Sequence, residues 1–194
     1  DALKAYLSLV KKWCPQQPVI HIDDSDVVKP DGHKFESLGW VRDGSESTAT
    51  KNVYKKGYHV TEATVLTHNH HPVSIFSEIH SSSEKGFTSI NDVTFSAMER
   101  GCAMFGKAVF VMDRGYDDNK MFLKLDSMKQ NYVIRLTAKR KLLYHNKWTY
   151  ATELCNRRKG KVKLPLLYKG KEHEAYLSHI KVQITASRKD IYLV

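Results

Sequence analysis

The chain has 194 residues and carries 31 lysine and arginine residues against 21 aspartate and glutamate residues, so its net charge is +10 with histidine neutral. This excess favours a protein that binds nucleic acid over a protein whose positive charge has no such partner. Binding to a membrane surface is disfavoured, because no basic amphipathic helix stands out. No apolar run approaches the roughly 20 residues that span a bilayer. Cys14, Cys102 and Cys155 are far apart and form no CxxC pair, which excludes a disulfide framework and a structural zinc site.

The first half of the chain predicts one helix followed by strands. Apolar residues at helical spacing predict a helix over Ala2–Trp13, which Pro15 ends. Val19–Ile22 is a short apolar run typical of a buried strand, and it leads directly into an acidic cluster that begins at Asp23. Three further extended segments are predicted at Phe35–Arg42, Gly57–Thr67 and Pro72–Ile79.

The second half alternates helices and strands up to residue 138, and its composition and hydrophobic pattern change after that. A helix is predicted to start near Ser89 and to stop at Gly106, and the apolar strand Ala108–Met112 then ends at Asp113. The alternation is completed by a helix over Asn119–Lys129 and a strand over Tyr132–Leu136. From residue 139 onward, basic residues and short alternating segments predict a β-rich appendage. The order of elements predicts an α/β fold, with helices packed on a mixed sheet.

Two of the apolar strands end in an acidic residue, and this shared design is the main chemical signal in the sequence. If the two strands are neighbours, the carboxylates of Asp23 and Asp113 converge. Mg²⁺ is typically held by one or two carboxylates with waters and substrate phosphates, and a pair of such ions serves phosphodiester cleavage. An aspartate after a strand is also a common turn or helix-cap residue, so either residue taken alone favours a structural role.

The residues around the two aspartates form a recognisable pattern. In Val111–Tyr116 an apolar strand ends in Asp-Arg, and after a predicted helix the strand Tyr132–Leu136 contains Val-Ile-Arg. Ile22–Lys29 contains Asp-x-Ser after an apolar strand. These segments resemble the second- and first-aspartate regions of bacterial insertion-sequence transposases of the DDE type. The resemblance covers Val19 to Lys141 and implies a ribonuclease-H-like mixed sheet with flanking helices and a β-rich insertion subdomain.

The resemblance assigns roles to individual residues. Asp23 and Asp113 match the first and second catalytic, metal-binding aspartates. Asp24 is the alternative first ligand, because neighbouring residues of a strand point to opposite faces and only one of the two can face the site. Arg114 either contacts a DNA phosphate or forms a salt bridge with a nearby acid. The implied cofactor is Mg²⁺ or Mn²⁺, with two ions in the complete site.

The third carboxylate of the family pattern is missing. Family members carry a glutamate on a later helix in the pattern Tyr-x2-Arg-x3-Glu-x6-Lys, whereas Tyr132-x2-Arg135 is followed by Lys139 at the glutamate position. We therefore expect a fragment that is truncated before the glutamate helix and inactive alone. Residues 1–138 are predicted to form a partial catalytic core, and residues 139–194 a basic β-rich insertion subdomain.

Basic residues and one tryptophan, most of them in this predicted insertion, are candidates for contacts with DNA. A charge run is often only a solvated loop, and Trp148 either packs within the subdomain or stacks on an extruded base. The excess of basic over acidic residues in the region favours DNA. The candidate DNA-binding residues are Arg114, Lys139, Arg140, Lys141, Trp148, Arg157 and Arg158.

The segment His68-Asn69-His70-His71 suggests a metal cluster or an HNH nuclease at first sight. An HNH site needs spaced histidines in a ββα-metal context, so a polar turn between two extended segments is the favoured interpretation. No phosphate-binding glycine loop and no serine-hydrolase pattern supports a different chemistry.

These features imply a DNA transposase that hydrolyses phosphodiester bonds and transfers strands at transposon ends in metal-dependent reactions. The resemblance implies double-stranded DNA as partner, a homodimer as assembly, and a bacterial cytoplasmic, nucleoid-associated location without membrane contact. A stand-alone nuclease of the same fold and a catalytically inactive DNA-binding derivative are the alternatives.

Overall fold

The computed structural model describes residues 1–155, 160, 162–184 and 189–194. Within these residues the chain divides into two compact units. The first comprises Asp1–Met112 and Lys124–Val133, and the second comprises Asp113–Leu123 and Ile134–Val194. The division at residues 138 and 139 remains a prediction. In the described part of the chain, no helix is long and apolar enough to cross a membrane.

A mixed sheet of six strands forms the centre of the first unit. Its strands are β1 (Val19–Val28), β2 (Gly39–Arg42), β3 (Tyr54–Leu66), β4 (Pro72–His80), β5 (Val109–Met112) and β6 (Asn131–Ile134). They follow the spatial order β2-β3-β1-β5-β6, and β4 also pairs with β3. β1 is antiparallel to β3 and parallel to β5, so the central strand joins the two kinds of pairing.

Three helices accompany this sheet along the chain, and a side chain caps the first turn of two of them. They are α1 (Ala2–Trp13), α2 (Ile90–Phe105) and α3 (Asn119–Ser127). The side chain of Asp1 accepts a hydrogen bond from the Leu3 amide, and Ser89 does the same for the Asp92 amide. α2 ends at Gly106, which has a φ of 72° that a residue with a Cβ rarely adopts.

The core of the first unit lies between α2 and the sheet. Alternation along β1 and β5 buries Ile20, Ile22, Phe110 and Met112. α2 contacts β1, β3 and β4. A Cβ at Gly101 of α2 would lie 2.7 Å from Cδ1 of Ile20, so the missing side chain allows the helix to approach the sheet closely. This arrangement confirms the predicted α/β fold, a ribonuclease-H-like mixed sheet with flanking helices.

Two predicted strands differ from the structure by four or more residues at one end. β1 does not end before Asp23 but continues to Val28, because the 13-residue strand β3 pairs with it as far as Gly57 opposite Val28. The predicted strand over Phe35–Arg42 begins only at Gly39, since the residues before Gly39 form turns. Asp23 therefore lies inside a strand rather than at its end, and only Asp113 directly follows the last residue of a strand.

The second unit is dominated by short strands. Its elements are a 3-10 turn (Arg114–Tyr116), β7 (Lys141–Tyr144), β8 (Lys147–Tyr150), α4 (Ala151–Cys155), β9 (Val162–Tyr168), β10 (Lys171–Leu177), β11 (Ile180–Gln183) and β12 (Asp190–Leu193). A four-stranded sheet has the order β12-β11-β7-β8, and β9 and β10 form a separate ribbon. Phe122, Leu142, Leu154 and Ile184 are its buried apolar residues with the least exposure among those described. The sequence pattern does not predict β8 or α4, because segments of four and five residues are too short to show a period.

We expect the close approach at Gly57 to make this position intolerant of a side chain. A Cβ there would lie 2.3 Å from the carbonyl oxygen of Val27 and 2.6 Å from a methyl group of Val41. Gly57→Ala should lower the free energy of unfolding by about 2 kcal/mol, as overpacking does elsewhere. Urea unfolding followed by circular dichroism measures it. Gly44→Ala is the control, because no atom lies within 4 Å of its added Cβ; equal stability of the two variants contradicts the prediction.

Candidate functional site

β1 presents its two adjacent aspartates on opposite faces of the sheet. Asp24 follows Ile20 and Ile22 on the face that carries the core and is half-buried. Asp23 follows His21 on the other face and is exposed. Since neighbouring strand residues alternate between faces, the two carboxylates cannot serve the same site.

The Asp24 carboxylate belongs to a hydrogen-bonded chain of side chains. The Thr61 hydroxyl donates to Oδ1 of Asp24 at 2.5 Å and lies 2.9 Å from Nε2 of His80. A hydroxyl has one hydrogen to donate, so Nε2 of His80 must donate to the Thr61 oxygen. Nδ1 of His80 is buried without a hydrogen-bond partner among the described residues. The hydrogen bonds therefore require a proton on Nε2, and a second proton on Nδ1 would be a costly buried donor.

His80 is held in an environment that opposes its protonation. Burial is the main cause that lowers the pKa of His80, and the nearby His59 lowers it further, while the acidic side chains of Asp24, Glu78 and Glu84 act in the opposite direction. The imidazole is stacked against His59, with ring centroids 5.6 Å apart. The same face of β1 thus carries a buried polar network that fixes the position of Asp24.

Asp113 is the residue that directly follows β5. Within the first unit β5 runs parallel to β1 with Met112 opposite Ile22, so each predicted ligand is the next residue after one member of this pair. Oδ1 of exposed Asp113 accepts a hydrogen bond from the Gly115 amide at 2.6 Å and so caps the 3-10 turn. Asp113 is the first residue of the second unit.

The two predicted metal ligands are both carboxylates. Carboxylate oxygens suit hard divalent cations such as Mg²⁺, which is commonly bound by one or two acidic side chains and completes its coordination with water and substrate phosphates. No group of three or more histidine, cysteine, aspartate or glutamate side chains that could hold a metal ion occurs among the residues that the structure describes. The chemistry of the donors therefore fits Mg²⁺ or Mn²⁺ and does not suggest a closed zinc site.

The guanidinium of Arg140 is engaged within the second unit. It donates from Nε to Oδ1 of Asp117 at 2.7 Å, from Nη1 to Oδ1 of Asn119 at 2.8 Å, and from Nη2 to the backbone oxygen of Asp117 at 2.7 Å. The other carboxylate oxygen of Asp117 accepts from the amide and hydroxyl of Thr137, both at 2.7 Å. Side-chain exposure is 13% for Arg140 and 1% for Asp117, so this is a buried ion pair.

The other candidate DNA-binding residues are more accessible. Arg114, Lys139 and Lys141 are exposed, and Nζ of Lys141 lies 5.4 Å from the ring centroid of Tyr150. Trp148, on β8, is 47% exposed. Arg157 and Arg158 lie outside the described residues. The four accessible side chains can meet a phosphate or a base without first breaking a buried contact.

The pattern of residues alone does not reveal two of these networks. Asp117 and Arg140 are 23 residues apart, and Thr61 and Asp24 are 37 apart, so no local spacing connects them. A partial signal exists for Thr61, which occupies an inward-facing position of an alternating strand where an apolar residue is expected. A polar residue at such a position requires a partner, because burying an unpaired polar group is costly.

A ribonuclease-H-like sheet with one aspartate on its central strand and another directly after the adjacent parallel strand has the organisation of a DDE-type recombination enzyme. The chain belongs to the transposase DDE domain family, whose model matches residues 15–191. This membership implies transposase function and DNA binding, and the family generally uses divalent metal ions. A search among curated proteins gives no match.

The environment of His80 predicts how stability depends on pH. Because folding lowers the pKa of His80, the unfolded chain takes up the proton first as the pH falls below about 6.5. The stability that neutral His80 contributes is present above this pH and is lost as the pH falls through the folded-state pKa. We expect the free energy of unfolding, measured with urea, to be lower at pH 5 than at pH 8.

His80→Gln should reduce this difference, because its amide still donates to Thr61 but does not titrate. Asp43, whose pKa is lowered by its hydrogen bonds with Lys55 and Ser45, loses its contribution only near the ordinary aspartate pKa of about 3.9, outside this window. An unchanged pH dependence in His80→Gln rules out His80 as its source.

The buried pair of Asp117 and Arg140 predicts a large effect of removing one partner. Asp117→Ala leaves the Arg140 charge and the Thr137 donors without their acceptor, which should cost about 3 kcal/mol of unfolding free energy. Glu174→Ala is the matched control, because Glu174 pairs with Lys163 where both side chains are 59% exposed, and exposed pairs contribute little. Thermal or urea unfolding measures both variants, and comparable losses contradict the structural role.

Proposed function

We propose that this chain supplies Asp23 and Asp113 as metal ligands for phosphodiester hydrolysis and strand transfer at transposon ends, with Mg²⁺ or Mn²⁺ as cofactor. The carrying observation is the register of the parallel pair β1 and β5, in which Ile22 is opposite Met112. Asp23 directly follows Ile22, and Asp113 directly follows Met112.

The contacts of the acidic pair on β1 support Asp23 over Asp24 as the first ligand. Asp24 accepts a hydrogen bond from Thr61 and lies on the core-facing side. Asp23 is exposed on the opposite face. A carboxylate that is already engaged in a buried network has less freedom to bind a cation, whereas an exposed carboxylate on a paired strand combines access with a rigid backbone.

The reaction consists of two in-line displacements at phosphorus. In the first, water attacks the phosphodiester and frees a 3′-hydroxyl, and in the second this hydroxyl attacks target DNA, so one P–O bond forms and one breaks in each. Divalent cations held by Asp23 and Asp113 would lower the pKa of the attacking water or hydroxyl and would neutralise charge on the phosphate oxygens. The chain's own part is to hold two carboxylates on rigid backbone; the Gly115 amide orients one of them, the Asp113 carboxylate.

The accessible basic residues are the proposed contacts for DNA. Arg114, Lys139 and Lys141 provide positive charge for phosphates, and the exposed ring of Trp148 offers a stacking surface for a base. Arg140 contributes to the DNA-binding surface indirectly, since its guanidinium ties Asp117 to the residue that directly precedes β7. We also propose that residues 139–194 form the insertion subdomain, and that two copies of the protein act together on double-stranded DNA.

Metal binding tests the proposed ligands directly. Mn²⁺ is titrated into the protein, and the free ion is measured by electron paramagnetic resonance. Asp23→Asn and Asp113→Asn should each weaken binding by about tenfold or more, because a two-carboxylate site loses half of its charge. This loss is comparable to the known sensitivity of metal sites to changes even in their supporting residues.

Asp24→Asn is the control for this titration. Its amide oxygen can still accept from Thr61, so both the fold and Mn²⁺ affinity should be preserved. Unchanged affinity in Asp113→Asn contradicts the proposed site, and a loss in Asp24→Asn with none in Asp23→Asn assigns the first ligand to Asp24 instead.

A further inference from the structure

A pocket of about 440 Å³ lies in the first unit where the end of α1 meets the turn between β3 and β4. Its lining includes Lys12 and Trp13 from the helix and His68, Asn69 and His71 from the turn. The turn is the histidine-rich segment that the sequence sets apart, and none of its side chains belongs to the aspartate pair or to the Thr61 network. The pocket therefore needs an explanation of its own.

Backbone hydrogen bonds hold this pocket in shape. The His68 amide donates to the Trp13 carbonyl at 2.8 Å, which joins the turn to the end of the helix. Within the turn the Thr67 amide donates to the His71 carbonyl at 3.0 Å, and the Thr67 hydroxyl accepts from the His71 amide at 3.1 Å. The backbone that carries the lining side chains is thus held by hydrogen bonds, and a preformed backbone lowers the entropic cost of binding.

The chemistry of the lining combines an aromatic ring with positive and neutral donors. Trp13 is 49% exposed, so part of its indole is available to a partner. Lys12 contributes an ammonium group, the two histidines contribute ring N–H donors, and Asn69 contributes an amide that can both donate and accept. Of the described residues that line the pocket, none is acidic. The lining favours an anionic ligand with a flat apolar ring.

We propose that this pocket binds a nucleotide of single-stranded DNA, with its base stacked on Trp13 and its phosphate against Lys12 and His71. Base stacking on an exposed aromatic ring next to basic side chains is how proteins bind single strands without reading their sequence. In a duplex the faces of the bases are already covered by neighbouring bases, so an unpaired nucleotide fits best. Asn69, in the same lining, supplies an amide for the edge of the base.

The position of the pocket separates it from the proposed metal ligands. Asp23 is opposite Glu62 in the pairing of β1 with β3, and the turn begins at Thr67, five residues further along. At about 3.4 Å per residue this is roughly 17 Å. The proposed binding therefore requires neither the carboxylates nor a divalent cation, and it goes beyond the proposed function by assigning a second contact for DNA.

Fluorescence of Trp13 alone gives a direct test. The protein has three tryptophans, so the variant Trp40→Phe with Trp148→Phe leaves Trp13 as the single indole. A thymidine oligonucleotide is titrated in EDTA, which removes divalent cations and keeps the result independent of the metal site. Stacking should quench Trp13 emission in a saturable manner, and a duplex of equal length should compete more weakly. Absence of quenching overturns the proposal.

A pair of alanine variants tests the energetic role of the ring. Trp13→Ala should weaken binding of the oligonucleotide by about tenfold, the lower part of the range for one stacked base. Trp40→Ala is the matched control, because Trp40 is 61% exposed and Nζ of Lys56 lies 4.7 Å from its ring, yet it is outside the pocket. Equal losses in the two variants overturn the proposal.

A second pair keeps the test valid if Trp13→Ala fails to fold. Lys12→Met should reduce the slope of log affinity against log salt by about 0.7, the value for one phosphate contact on a single strand. Lys4→Met, which removes an exposed lysine near the other end of α1, should leave the slope unchanged. An unchanged slope in Lys12→Met, or the same change in both variants, overturns the phosphate contact.

Discussion

β1 forms hydrogen-bond ladders with two neighbours of opposite direction, and the positions of the functional groups of the first unit follow from these two pairings. The antiparallel ladder with β3 holds β1 extended from Ile20 to Val28, and the parallel ladder with β5 aligns Ile22 with Met112. Neither ladder alone determines the positions of all these groups. The first brings Thr61 opposite Asp24, and the second brings the residue before each predicted ligand into register.

The adjacent residues Asp23 and Asp24 lie on opposite faces of β1 and have different surroundings. On the core-facing side, hydrogen bonds join Asp24 to Thr61 and Thr61 to Nε2 of His80, which offsets part of the cost of polar groups beside a packed core. On the other side the Asp23 carboxylate is exposed. A structural carboxylate and a proposed catalytic one thus stand next to each other in the chain, and the pleat of the strand keeps them apart.

Much of this arrangement is predictable from local patterns, and the remainder depends on distant partners. Helical spacing and capping residues predict α1 and α2, and an apolar run predicts β5, because each signal lies within a few neighbouring residues. The length of β1 is not predictable in this way, since Asp23 to Asp26 have low strand propensity and are held extended by their pairing with β3.

The ion pair of Arg140 with Asp117 is likewise a property of the folded chain, whereas a basic run in the sequence predicts only a charged surface. The candidate metal ligands can be named from the sequence, but the proposed choice between Asp23 and Asp24 depends on which of them has a partner in space.

The alternation of Asp23 and Asp24 between the faces of β1 also constrains the length of the connection between α1 and β1. A shift of β1 by one residue would exchange the faces of the strand, so that Ile20 and Ile22 would face solvent and Asp24 would take the place of Asp23. Burial of each isoleucine is worth about 1.5–3 kcal/mol against such a shift, and the Pro18 carbonyl, which accepts from the Val109 amide at 2.9 Å, anchors the start of the strand. An insertion or deletion in the three residues between Cys14 and Pro18 would therefore disturb either the burial of the isoleucines or the hydrogen bond at Pro18, whereas the long loop between β2 and β3 can change in length without altering which aspartate is presented.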